Sequence, residues 1–152
     1  MGPRLELLME YHATLKTPVE VGPGPFGMRQ IFDVTGGGFH GPRLRGRILP
    51  SGADWLLIGP DGVGRLDVRA TLETDDGALI YLSYFGILHL DEGAMQTVTG
   101  GGSSEYGELY FFTQPRFESG DPRYGAWLNR IFAIAQGKLG PSRVDYPIYQ
   151  VG

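Results

Sequence analysis

Two carboxylates in this sequence have surroundings that could let them move a proton. Asp54 directly precedes Trp55 at the start of a short apolar run, where a carboxylate can face the mouth of a folded sheet. Glu118 lies in a segment dense in aromatic residues. A carboxylate enclosed by apolar side chains holds its proton more tightly than one in water, which is what general acid–base work near neutral pH requires. Arg69 is the candidate partner for Asp54, as a structural clamp or as a group that tunes its charge. Tyr84 or Tyr124 could donate to an oxyanion developing in such a reaction. The candidate catalytic set is therefore Glu118, Asp54, Arg69 and Tyr84.

The segment 111–129 is the preferred binding region. It gathers Phe111, Tyr124 and Trp127 with Glu118, Arg123 and Asn129, on a loop long enough to act as a lid. Ligand pockets combine aromatic walls with a few convergent polar groups, so Trp55, Phe111, Tyr124, Trp127 and Asn129 are the candidate ligand contacts. Arg43, Arg45 and Arg47 alternate along one strand and could clamp an anion; the plainer reading is an outer barrel face paired with Asp67 and Glu73. His12, His40 and His89 lie in different strands without ligand spacing, so no metal is expected. Gly36-Gly37-Gly38 is followed by neither a lysine nor a helix start, and neither Ser103 nor Ser104 sits in a Gly-x-Ser-x-Gly elbow. Nucleotide cofactors and serine hydrolysis are set aside, and no cofactor is expected.

The elements that would position these residues follow from composition and period. A chain of 152 residues with 41% hydrophobic and 20% charged residues can bury one core, which makes a single domain, 1–152, the expectation. Its 25 glycines and 11 prolines, without any sustained apolar run, read as turns and bulges of an all-β fold. The absence of cysteine removes disulfides and thiolate chemistry. A net charge of −4 argues against bulk nucleic-acid binding. The first residues, Met1-Gly-Pro-Arg-Leu-Glu-Leu7, show no basic stretch leading into an apolar one, and nothing approaches a membrane span. The expectation is a soluble cytoplasmic protein with no membrane partner.

Period-two alternation predicts strands over 5–15, 28–34, 39–49, 55–58, 65–73, 78–90, 109–113, 131–135 and 144–151. On the first of these Leu5, Leu7, Met9, Tyr11 and Ala13 share a face. A short helix over 91–99, a Gly-rich loop over 100–104 and a helical turn near 122–128 complete the reading; Asp121-Pro122 starts that turn. Antiparallel strands with short loops leave open edges unless the sheet closes, so a closed antiparallel meander β-barrel of about eight to ten strands is predicted. Gly46, Ala70, Ala78 and Ala133 face inward and could leave room for one small ligand. The strand from Ala78 to Leu90 is apolar on both faces, which predicts a covered outer face, either by a packed segment or by a second subunit in a homo-oligomer formed through it.

Gly41-Pro-Arg-Leu44, Leu49-Pro-Ser-Gly-Ala-Asp-Trp55, Thr74-Asp-Asp-Gly-Ala-Leu-Ile80, Pro115-Arg-Phe-Glu118 and Trp127-Leu-Asn129 occur in that order. In these motifs the chain resembles domain of unknown function family 3237, also called uncharacterised protein family 0311, from about Met28 to Val151. The resemblance implies a small β-barrel of the calycin or allene-oxide-cyclase type, with no settled activity. Where the family continues with Asn-Arg-Gly-Val-Arg or similar, this chain has Tyr84-Phe-Gly-Ile-Leu-His89, apolar where those are basic. If that stretch lines the cavity, the ligand is less anionic than the relatives' or the wall has been repurposed. The functional expectation is a cofactor-free isomerase, cyclase or lyase acting on a small apolar or aromatic molecule. The alternative is a binding or carrier protein with the same cavity.

Overall fold

The computed structural model of the chain describes residues 2–99 and 101–152, the side chains of 98 and 99 excepted. Gly100, in the expected 100–104 loop, lies outside the described residues. The elements are β1 (Leu5–Leu15), β2 (Val19–Gly24), β3 (Gly27–His40), β4 (Arg45–Ile48), β5 (Ala53–Ile58), β6 (Val63–Thr74), β7 (Leu79–His89), α1 (Glu92–Thr99), β8 (Phe111–Glu118), α2 (Pro122–Leu128), β9 (Phe132–Gln136), β10 (Lys138–Gly140) and β11 (Arg143–Val151). Neighbours pair antiparallel in the order β1-β11-β9-β8-β7-β6-β4-β3, and β1 pairs with β3 to close an eight-staved barrel. Closure leaves the main staves without a free edge.

One stave is broken. β4 and β5 both lie between β3 and β6, joined through Leu49-Pro50-Ser51-Gly52. Pro50 has no N–H for a ladder, but Leu49 N–H to Thr71 O and Gly52 O from Val34 N–H, at 2.9 and 3.0 Å, carry the pairing past it. The expected strand over 39–49 is thus the end of β3, a turn and β4. The seam between β1 and β3 explains the triple glycine. Gly37 has φ +137°, and a Cβ there would lie 2.1 Å from the His12 carbonyl oxygen. A glycine is required for the two strands to meet at that point.

Inside, alternate residues of each strand are buried, among them Leu72, Ile80, Leu82 and Ile148. β1 departs from simple alternation. A bulge between Leu7 and Met9 shifts its register against β11, so Leu8 and Met9 are both buried while Leu5 and Leu7 face out. Strand extends beyond the predicted spans in two places: 19–24 pairs with β3, and the ladder between β7 and β8 runs on to Tyr81 and Glu118, so 114–118 is strand where a loop was expected. On β7, Ile80, Leu82, Tyr84 and Leu88 point in, and Leu79, Tyr81 and Phe85 lie exposed on the outer face of the single chain.

The two ends of the barrel differ. At one, α2 caps the core: Asp121 accepts from Arg123 N–H at 3.0 Å, Leu128 is buried, and Tyr124 and Trp127 pack against the core. At the other, α1 follows β7, its first turn held by Asp91 Oδ1 accepting from Ala94 N–H at 2.8 Å. Among the described residues no helix is long and apolar enough to cross a membrane.

Candidate functional site

The barrel is hollow at the α1 end. A cavity of about 400 Å³ opens there, a size suited to one small molecule. Its walls are apolar: Phe32 of β3, Leu56 of β5, Leu66 of β6, Leu88 of β7, Phe111 of β8 and Val144 of β11. Lys16, Glu20 and Arg143 also line it. The Arg143 guanidinium is committed to Asp145, with contacts at 2.7 and 2.9 Å.

Two buried polar side chains stand on this wall. Asp54 faces inward because β5 alternates and Asp54 lies opposite Val68, itself an interior residue. Its Oδ1 accepts from the Asp67 N–H at 3.2 Å. Burial pushes its pKa up to about 7; the Asp67 N–H and Arg29 oppose this, and the Asp67 charge reinforces it. Gln30 is only 4% exposed. Its amide donates from Nε2 to Glu20 Oε1 at 2.7 Å, while its Oε1 is buried without a partner.

Next to this wall the barrel interior holds three tyrosines. Tyr84 and Tyr146 meet edge to face with centroids 5.3 Å apart, and Tyr11 lies 5.8 Å from Tyr146. Phe111, a cavity wall, packs its ring edge against Tyr146 at 5.5 Å. Tyr84 Oη donates to Tyr146 Oη at 3.4 Å. Burial holds all three hydroxyls well above the usual tyrosine range, so they remain protonated donors. Tyr11 Oη and Thr113 Oγ1 are buried without a partner. The interior thus combines a carboxyl poised near neutrality with phenols and orphaned polar atoms, under an apolar cavity.

A family model described as "Protein of unknown function (DUF3237)" matches residues 3–151. The chain belongs to the DUF3237 family. A UPF0311 protein of Rhodopseudomonas palustris (strain TIE-1) is 32% identical over 153 residues, 99% of each chain. The crystal structure of a β-barrel-like protein from Acinetobacter baumannii AYE matches with TM-score 0.85 and 34% identity, covering all of this chain and 98% of that one. A protein described only as an enzyme, from Penicillium herquei, matches at TM-score 0.73 and 20% identity, over all of this chain and 96% of the other. At that identity the likeness is one of fold.

In this DUF3237 barrel, Asp54 and Phe111 are the sequence-predicted residues that line the cavity. Tyr84 lies in the interior in the same cross-strand row as Asp54, through Val68, but its hydroxyl turns to Tyr146. The rest lie elsewhere, and for Arg69 and Trp55 strand parity is the reason. Arg69 stands opposite Ala53, one residue out of step with Asp54, so it points outward. There it meets Asp67 at 3.7 Å and the Trp55 ring at 5.6 Å. The expected Asp54–Arg69 pair does not form. Trp55 is outward for the same reason, and Glu118 is exposed at the far end of β8. Tyr124, Trp127 and Asn129 belong to the α2 end. Tyr124 donates to Asp76 at 2.9 Å, Trp127 lies under the Arg43 guanidinium at 3.6 Å, and Asn129 bridges the Ser119 backbone at 2.8 and 3.0 Å. Of the arginine ladder, Arg47 pairs with Glu73 at 3.0 Å, while Asp67 is taken by Arg69.

Gln30, Thr113, Tyr11 and Tyr146 did not enter the sequence-level site. For Gln30 a signal was present: it alternates with Met28 and Phe32, a polar residue at a core parity position. Of the small inward residues, Gly46, Ala70, Ala78 and Ala133 do not line the cavity, which lies nearer Gly101, Gly102 and Gly140. In the apolar departure at 84–89, Leu88 does line it. Among the described residues no group of three or more His, Cys, Asp and Glu side chains is placed to hold a metal.

Proposed function

We propose that this barrel binds one small, largely apolar or aromatic molecule in the cavity at its α1 end and acts on it as a cofactor-free isomerase, cyclase or lyase. The observation that carries the reading is Asp54: a buried carboxyl on an apolar cavity wall, with its pKa raised to about 7. At neutral pH such a group is present in both forms. As the acid it delivers a proton to the substrate, and as the carboxylate it removes one from another atom, so the protein ends a cycle unchanged. General acid–base transfer of this kind supplies about 10²–10⁴-fold. The cavity adds orientation by holding a flexible substrate in a reactive shape. The buried tyrosine hydroxyls keep the interior beside Asp54 rich in neutral donors.

The test begins with native mass spectrometry of untagged protein, followed by extraction and identification of whatever it retains. The retained compound and its close analogues are then incubated with wild type and Asp54→Asn. Conversion by wild type, reduced at least about 100-fold in Asp54→Asn with the compound still retained, is the expected outcome. Retention without conversion by either protein would favour the carrier reading. Equal conversion by both would remove Asp54 from the chemistry.

A further inference from the structure

We propose that Gln30 sets the ligand specificity of this cavity, with Glu20 fixing its carboxamide so that the oxygen accepts a hydrogen bond from the bound molecule. The preferred ligand is then an apolar compound bearing a hydroxyl or N–H. The inference rests on the reading of the cavity as the substrate site and goes beyond it by naming what the substrate must carry.

Gln30 and Leu56 are cross-strand partners on β3 and β5, and both side chains belong to the cavity wall. The carboxamide has two chemically different ends, and its surroundings decide which faces the ligand. A carboxylate can only accept, so Glu20 at 2.7 Å must hold the NH2 end of Gln30. That leaves the carbonyl oxygen as the free end, and it is buried with no partner in the protein. A buried acceptor without a donor is costly, and a ligand that supplies the donor recovers that cost. Acceptor-only anions are disfavoured at the same position, because both the amide oxygen and the Glu20 carboxylate repel them.

The placement also fits the proposed chemistry. Asp54 is two residues from Leu56 on β5 and faces the same interior, one diagonal step from Gln30, about 7–8 Å between Cα positions. A ligand anchored at Gln30 through its hydroxyl therefore presents an atom roughly one ring away to Asp54. Glu20 is exposed at the cavity rim and acts on the ligand's donor by fixing Gln30, so it is a positioning residue.

The probes are 2-naphthol and its methyl ether, 2-methoxynaphthalene, which differ by the donor and one methyl group. Their binding to the full chain is followed by calorimetry and by amide chemical shifts in NMR. Wild type should bind the naphthol about 5- to 100-fold more tightly than the ether. Gln30→Met, similar in shape and apolar, should bring that ratio close to one. Glu20→Lys should turn the carboxamide around, presenting NH2 to the cavity, and bring the ratio close to one, because the oxygens of both probes can accept from it. This rim variant carries the test even where Gln30→Met disturbs folding. A naphthol preference unchanged in both variants, or equal binding of both probes by wild type, would overturn the specificity role and leave the cavity reading standing. Failure of both probes to bind wild type would overturn the cavity reading and this inference with it.

Discussion

Replacing Asp54 by Asn tests the central physical claim without knowledge of the substrate. Burial raises the carboxyl from 3.8 to about 7. Between those values the folded protein keeps a proton that the unfolded chain has released, so stability falls as pH rises, by about 1.4 kcal/mol per pH unit. The full effect is about 4 kcal/mol, absent below pH ~4 and complete above pH ~7. Asn is neutral throughout, and its oxygen can still accept from the Asp67 N–H. Other titrating groups, including His12, whose pKa is lowered chiefly by burial, are common to both proteins and cancel in the difference. The stability advantage of Asp54→Asn should therefore widen by about 2–3 kcal/mol from pH 5 to pH 7 and then level off. In a chain of this length that is roughly 5–10 °C in Tm. Urea denaturation at several pH values, followed by the fluorescence of Trp55 and Trp127, reads it directly. A difference flat between pH 5 and 8 would mean that Asp54 titrates as an ordinary surface carboxylate, and the acid–base argument would lose its support.

Asn129→Ala removes both hydrogen bonds to Ser119 and should cost about 1–3 kcal/mol in denaturant titrations; probe binding in the cavity should not change. Glu118→Gln, exposed on the outer face, should leave stability within about 0.5 kcal/mol and ligand retention as in wild type, measured by the same titration and by native mass spectrometry. Gly137→Ala would place a Cβ 2.7 Å from ring carbons of both Phe111 and Tyr146. It should destabilise by about 1–3 kcal/mol and, by displacing a cavity wall, weaken binding of 2-naphthol in calorimetry.

Much of the barrel was legible in the sequence because alternation is a local signal. The first strand occupies the span its alternation predicts, and Asp121-Pro122 opens the helical turn expected there. The misplaced strand residues Trp55 and Arg69 share a cause. Which face of a strand is inside depends on register against its neighbours, and register is non-local. Trp55 and Arg69 are each one residue from an inward position, and nothing near them in sequence says so. The bulge at Leu7 to Met9 reversed part of β1 by the same mechanism. Glu118 was misread through element length: β8 extends past Thr113 across Pro115, a residue that argues against strand on its own but is tolerated opposite Tyr84. The aromatic density of 111–129 was real, but the two ends of the barrel share it. Phe111 serves the cavity, while Tyr124 and Trp127 serve the cap.

The cap and the cavity lie at opposite ends of one closed sheet. The arginine, aspartate and asparagine contacts that fasten α2 have no atom in common with the wall around Asp54 and Gln30. Substitutions at the two ends should therefore combine almost additively. In evolutionary terms, residues near the open end, such as Lys16, Glu20 and Leu139, can change to admit a different guest without loosening the far end. A barrel divided this way can diversify in what it accepts while keeping the same shape.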